Sequence, residues 1–164
     1  MRFSRIASSG RTGGLAGVVP DFGDSEDFAS GLGFLTSSLG SAVVTDPVSL
    51  SPIQLQGRTL PLAPEWTFSL GGQYRFVLGN GASITPRVDY SYIASQWATP
   101  YQDFGDFLPS RNLVNAQIEY AEGPYKVTLF GANVFNLHYV IATNIGLRYA
   151  GDPAQYGIRV ERAF

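Results

Sequence analysis

From Trp66 to Leu78 apolar and polar residues alternate almost without a break. Even positions carry Trp66, Phe68, Leu70, Gly72, Tyr74, Phe76 and Leu78; odd ones carry Thr67, Ser69, Gly71, Gln73, Arg75 and Val77. Successive side chains of a β-strand point to opposite faces, so this spacing predicts one apolar, aromatic face and one mainly polar face. Gly79-Asn80-Gly81 follows, and both residue types tolerate the positive φ of a tight hairpin turn. The next run repeats the code, with Ala82, Ile84, Pro86, Val88, Tyr90 and Tyr92 against Ser83, Thr85, Arg87, Asp89 and Ser91. The predicted register puts the even-numbered apolar residues of both runs on one face. Arg75, Arg87 and Asp89 fall on the other.

Downstream, Val114, Ala116, Ile118 and Tyr120 alternate with Asn115, Gln117 and Glu119, and Glu122-Gly123-Pro124 makes another short turn. Tyr125, Val127 and Leu129 then alternate with Lys126 and Thr128. A last strand sets Tyr156, Ile158, Val160, Arg162 and Phe164 against Gln155, Gly157, Arg159 and Glu161. Upstream, Leu32–Val44 reads as a strand of weaker pattern. Ser95–Ser110 and Asn136–Asp152 read as long loops, and residues 1–30, Gly/Ser-rich and then acidic, as an irregular segment. The expectation is an all-β chain whose residues 31–164 form an antiparallel meander of about six strands.

Strand length and loop asymmetry decide what kind of meander. Runs of about ten residues or more suit strands that cross a membrane at a tilt, which takes about 9–11 residues. Globular strands more often have about five or six. Short turns alternating with long loops, and aromatics near strand ends, describe a transmembrane β-barrel. A soluble sandwich or lipocalin-like barrel would show the same alternation with its apolar face inward. Only 15% of residues are charged, whereas a soluble surface usually needs about 25%. With a formal charge of −2 and Lys126 as its single lysine, the chain carries no basic footprint for nucleic acid. The absence of Cys removes disulfides and thiolate chemistry. Met1 to Arg5 begins with basic residues, but the Gly-rich stretch after it lacks the apolar core of an export signal.

Several short stretches carry a family resemblance. Gly57-Arg58-Thr59-Leu60-Pro61-Leu62-Ala63-Pro64 resembles the G-x-x-L-P-x-A-P stretch before a late barrel strand of TonB-dependent outer-membrane receptors. Arg87-Val88-Asp89-Tyr90-Ser91-Tyr92 and Leu113-Val114-Asn115-Ala116 resemble the two strands that follow. Gly131-Ala132-Asn133-Val134-Phe135-Asn136, with Tyr139 beyond it, resembles G-x-N-L-F-(D/N), and Gly151-Asp152-Pro153-Ala154-Gln155-Tyr156-Gly157 resembles G-x-P-R-x-Y-G. Two departures stand out: Ala154 where the family has Arg, and Arg162 at an outward position that is usually apolar.

The resemblance implies a bacterial outer-membrane barrel of about 22 strands, plugged by an N-terminal domain. It implies import of scarce ligands such as siderophores or other metal chelates, driven through the TonB energy-coupling system, with no cofactor and no enzyme activity. About six strands leave two edges open in lipid, and each edge exposes roughly ten unpaired backbone groups at a few kcal/mol apiece. The expected partners are therefore membrane lipid, the missing plug, the remaining barrel strands and the barrel-assembly machinery, the chain being one fragment of the wall. A small porin or adhesin barrel, or a soluble β-sheet binding module, are the alternatives.

Candidate sites follow from the same reading. Trp97, Tyr101, Tyr139, Arg148 and Tyr149 sit on the long loops, where the resemblance implies ligand capture; an interfacial aromatic girdle accounts for them equally well. His138, the single histidine, lies on the second long loop beside Tyr139 as a further candidate for ligand contact, with no companion at metal-ligand spacing. Asp103 and Asp106 offer two carboxylates for a cation, but a solvated loop accounts for them better. Tyr156, Ile158, Val160 and Phe164 match the assembly signal of outer-membrane barrels. Arg75, Arg87, Asp89 and Glu119 are expected to pair across strands, Gly131 and Gly157 to mark close approaches, and Asn133 and Asn136 to satisfy loop backbone. No nucleophile–base set or catalytic carboxylate pair stands out.

Overall fold

The computed structural model describes residues 16–18, 26–47, 49–103, 105–144 and 147–163. Fourteen strands follow in chain order, and helices are absent among the described residues. The first five are β1 (Ala16–Val18), β2 (Glu26–Phe34), β3 (Val43–Thr45), β4 (Pro52–Gln54) and β5 (Trp66–Tyr74). Next come β6 (Phe76–Val77), β7 (Ser83–Ile93), β8 (Gln96–Trp97), β9 (Phe107–Leu108) and β10 (Arg111–Glu122). The last are β11 (Tyr125–Ala132), β12 (Val140–Asn144), β13 (Leu147–Ala150) and β14 (Gln155–Arg162).

One antiparallel sheet in the order β1-β2-β5-β7-β10-β11-β14 forms the body, and β6 continues the line of β5 against β7. Strand order is sequence order. Among the described residues the sheet is open: β1 and β14 form its edges and do not pair with each other. The remaining strands make two-stranded extensions, β3 with β4, β8 with β9 and β12 with β13. All three extensions lie in the long connections, which follow β2, β7 and β11 and so leave from one end of the sheet. At the other end the β6–β7 and β10–β11 links are tight. Gly81 (φ 83°) closes one, where Asn80 Oδ1 accepts the Ala82 N–H at 3.1 Å, and Gly123 (φ 55°) closes the other.

The register carries the alternation from strand to strand. Phe68 faces Tyr92 and Leu70 faces Tyr90; Ile118 faces Pro86 on one side and Leu129 on the other; Leu129 faces Ile158. Residues directly opposite one another share a face. One face is therefore apolar from Phe34 and Trp66 across to Tyr156 and Val160, and Gln73, Arg87, Asp89, Gln117 and Glu119 occupy the other. Pro86 sits in central β7. It has no N–H to give, and the β5 ladder stops one pair short of it, at Gln73–Arg87, while the β10 ladder runs through. That missing donor divides β6 from β5.

Among the described residues only Ala82 and Leu108 are fully buried apolar side chains. No second layer of described residues covers the apolar face: Val160 is 67% exposed, Ile158 63% and Leu129 55%. A water-soluble sandwich would bury this face.

Two expectations of extent are corrected. The strand placed at Leu32–Val44 is β2, which ends at Phe34, while Val43 and Val44 belong to the β3–β4 extension. The irregular segment placed at 1–30 contains β1 and the first half of β2, so the strands begin before residue 31. The loops placed at 95–110 and 136–152 each contain a short hairpin.

Candidate functional site

Two regions of the sheet carry chemistry: its polar face and the end where the long connections gather. On the polar face, Arg87 donates Nε and Nη2 to Asp89, each at 2.8 Å, two residues along the same strand. Lys126 Nζ lies 3.3 Å from Glu119 Oε2 on the neighbouring strand, and Gln73 Nε2 donates to Asp27 at 2.6 Å. Cross-strand pairing thus involves Glu119, whereas Arg87 and Asp89 pair within β7. Arg75 makes no hydrogen bond or ion pair among the described residues, and it lines a polar concavity of about 550 Å³ with Gln73, Thr85, Gln117, Glu119 and Lys126. Exposed pairs of this kind contribute little to stability in water. What they provide is a wetted, charge-balanced surface.

At the long-loop end, the first and second connections are stitched together. Arg58 donates to the carbonyl oxygens of Tyr101 and Pro100, Leu62 N–H to Trp97 O at 2.8 Å, and Gln102 Nε2 to Thr59 Oγ1 at 3.2 Å. Asp46 and Asp106 are buried there with hydroxyl partners, Ser49 on Asp46 and Thr99 on Asp106. The Asp103 carboxyl is held above its ordinary range, first by desolvation, then by repulsion from Asp46 and Asp106 and a hydrogen bond with Asp46; Arg58 opposes the shift. Nothing in the sequence pattern marks Arg58 as the clamp, because its acceptors are backbone carbonyls 42 and 43 residues away.

The third connection is organised by two asparagines. Asn133, buried at φ 46°, donates Nδ2 to Leu137 O at 2.9 Å and Asp152 O at 3.0 Å, and its Oδ1 accepts the Leu137 N–H. Asn136 Oδ1 accepts the Ala154 N–H at 3.0 Å. Both asparagines satisfy loop backbone, as their positions suggested. Gly131 and Gly157 are close approaches: a Cβ on Gly131 would meet the Tyr156 ring at 3.0 Å, and one on Gly157 the Phe130 ring at 2.5 Å.

The sequence-predicted loop residues divide between the second and third connections. Trp97 packs edge-on against Phe107 with ring centroids 5.2 Å apart, and Tyr101 offers its carbonyl to Arg58. Tyr139 lies against Gly151, with the Arg111 guanidinium 5.7 Å from its ring centre. His138, Arg148 and Tyr149 are exposed. Among the described residues no hydrogen bond, ion pair or ring contact joins Trp97 or Tyr101 to the other four. Tyr156, Ile158 and Val160 lie on the apolar face; Phe164 lies outside the described residues.

A single-layer antiparallel sheet with an uncovered apolar face, a polar reverse face and loops gathered at one end defines the class: wall of a membrane β-barrel. The family model of the TonB dependent receptor-like β-barrel matches residues 15–137, and the chain belongs to that family of outer-membrane receptors and transporters. Solved structures agree on the fold. The siderophore receptor PiuA of Acinetobacter baumannii superposes with a TM-score of 0.69 at 17% identity, over 89% of this chain and 20% of that one. BauA, the ferric preacinetobactin receptor of the same organism, gives 0.65 at 17% identity, over 89% and 21%. The chain thus spans about a fifth of the length of these neighbours.

Proposed function

We propose that this chain is one section of the wall of an outer-membrane importer for siderophores or other metal chelates. The observation that carries the proposal is the uncovered apolar face, backed by a hydrogen-bonded sheet whose reverse side is polar. In this reading the apolar face meets lipid and the polar face meets a water-filled or plugged lumen. The remaining strands and the plug complete the barrel, the assembly machinery inserts it, and the TonB system energises it. Trp97, Tyr101, His138, Tyr139, Arg148 and Tyr149 belong to the loops that would meet the ligand. The siderophore assignment draws on the two receptors that share the fold.

The test compares the two faces. Leu129 is in the middle of the apolar face and Gln117 on the polar face of the adjoining strand. With the chain folded into phospholipid vesicles, Leu129→Arg should weaken insertion by about 2–4 kcal/mol, the cost of arginine at the lipid midplane. Gln117→Arg should leave insertion near the parent level. Protease protection reads both. Equal loss in the two variants would place water on both faces and end the membrane reading.

A further inference from the structure

A pocket opens at the long-loop end, where β2 and β7 stop and β5 begins. Backbone bonds fix its frame. Leu35 N–H donates to Glu65 O and Ala94 N–H to Trp66 O, both at 2.9 Å, and Leu62 N–H donates to Trp97 O at 2.8 Å. The cavity between these segments measures about 310 Å³. Its walls come from the first connection, through Ser37, Thr59 and Glu65, and from the second, through Gln96, Trp97 and Phe107. Sites for whole small molecules run from about 300 to 1,000 Å³, so this one admits the arm of a chelate and not the chelate itself.

Its chemistry leans one way. Glu65 is the only charged residue lining the pocket; it is exposed, and its side chain makes no hydrogen bond or ion pair among the described residues. Arg58, beside the lining residue Thr59, is committed to the carbonyls of Pro100 and Tyr101. The Gln96 amide makes no hydrogen bond among the described residues, and its oxygen is buried without a donor. Water satisfies an exposed carboxylate but does not reach that oxygen, which bears its full desolvation cost. Terminal amide torsions have broad wells, so a donor in the pocket can draw the oxygen round to itself. Trp97 and Phe107 meet edge to face, an arrangement that leaves the faces of one ring clear of the other, and Phe107 is exposed. A free carboxylate, an acceptor lacking a donor and an open ring together attract a cation that carries N–H groups.

We propose that this pocket receives a primary alkylammonium group, borne on the amine-terminated arm of an imported chelate. Glu65 accepts one N–H, the Gln96 amide oxygen accepts a second, and the aromatic pair lines the methylene chain. Arms that end in a carboxylate are repelled by Glu65. Arms that end in a hydroxyl bring no charge to it. The pocket narrows the substrate class of the importer reading and rests on that reading.

The experiment folds the full chain into phospholipid nanodiscs, which leave both ends of the sheet open to solution. Trp66→Phe is the background, so that Trp97 is the sole tryptophan. Cadaverine, its diol counterpart and glutarate are each titrated against Trp97 emission. Cadaverine should change that emission saturably and bind roughly tenfold more tightly than the diol or glutarate, the factor expected of one charge-assisted hydrogen bond. Glu65→Gln should weaken cadaverine binding by a similar roughly tenfold factor, and Gln96→Leu by about threefold. Glu161→Gln, which removes an equal charge beside Lys126 at the other end of the sheet, should leave binding unchanged. Protease protection of the same samples reports insertion. A chain that inserts but binds the three probes alike, or loses binding equally in Glu65→Gln and Glu161→Gln, overturns the pocket alone. A chain that does not insert overturns the importer reading and the pocket's role with it.

Discussion

Single residues set how closely the last strands approach. Gly131 and Gly157 each lie beneath an aromatic ring from the strand opposite, on opposite faces of the same strand pair. The two rings differ in freedom. Tyr156 is tethered by its hydroxyl to Val134 O at 2.9 Å, and Val134 Cγ1 would lie 2.8 Å from a Cβ on Gly131. Phe130 has no hydrogen bond to hold it, only the Arg159 guanidinium 5.8 Å from its ring centre, and yields more easily above Gly157. Gly131→Ala should therefore destabilise by about 1–3 kcal/mol, the usual cost of overpacking, and Gly157→Ala by less. Urea unfolding of the vesicle-bound chain reads the order; an equal or reversed order would show that the tether does not hold Tyr156. At this scale the sequence was partly legible. Glycines inside strands marked close approaches, and Asn133 and Asn136 before a loop marked backbone capping. The partners were not legible, since Arg58–Tyr101 depends on how two separate connections meet and Tyr139–Gly151 on how one connection folds back on itself.

At the scale of elements, legibility followed periodicity. β5, β7 and β10 alternate strongly, and the register expected for the first two is the one observed. β2 was placed too late because Gly31 and Gly33 on its polar face and Ser30 on its apolar face blur the pattern. What fixes its position is the partner, through Leu32 opposite Phe68 and Phe34 opposite Trp66. The hairpins within the long connections pair over only two to five residues, too few to generate a period. The second connection should also respond to pH. Because the folded arrangement raises the Asp103 pKa, its contribution is fully present below the unfolded value, about 3.9. It is lost as pH rises through the folded value. The second connection should accordingly be nicked faster by protease at neutral pH than at mildly acidic pH. Asp103→Asn, which removes the repulsion while keeping a donor for Asp46, should flatten that dependence. An unchanged slope would locate the pH response elsewhere.

For the whole molecule, the open edges dominate. β1 and β14 both present backbone groups with no strand beside them among the described residues, and unpaired edges recruit other chains. Expressed by itself, the chain should collect in inclusion bodies or as detergent-dependent oligomers, and vesicles containing it should show no discrete conductance steps. A stable monomer giving such steps would favour a small self-sufficient barrel. The class of fold was legible because a period of two, long strands and alternating connections act together over the whole chain. The strand total of the parent barrel rests on family resemblance, since each strand senses only its two neighbours. That last property has its own consequence. Each strand of the sheet pairs with those next to it in sequence, so no connection has to bridge a distant part of the wall. Such a sheet can lengthen or shorten by whole hairpins, each addition copying the template edge left by the one before. Circumference then becomes an adjustable quantity, and a wider or narrower pore requires no rewiring of the strands already in place.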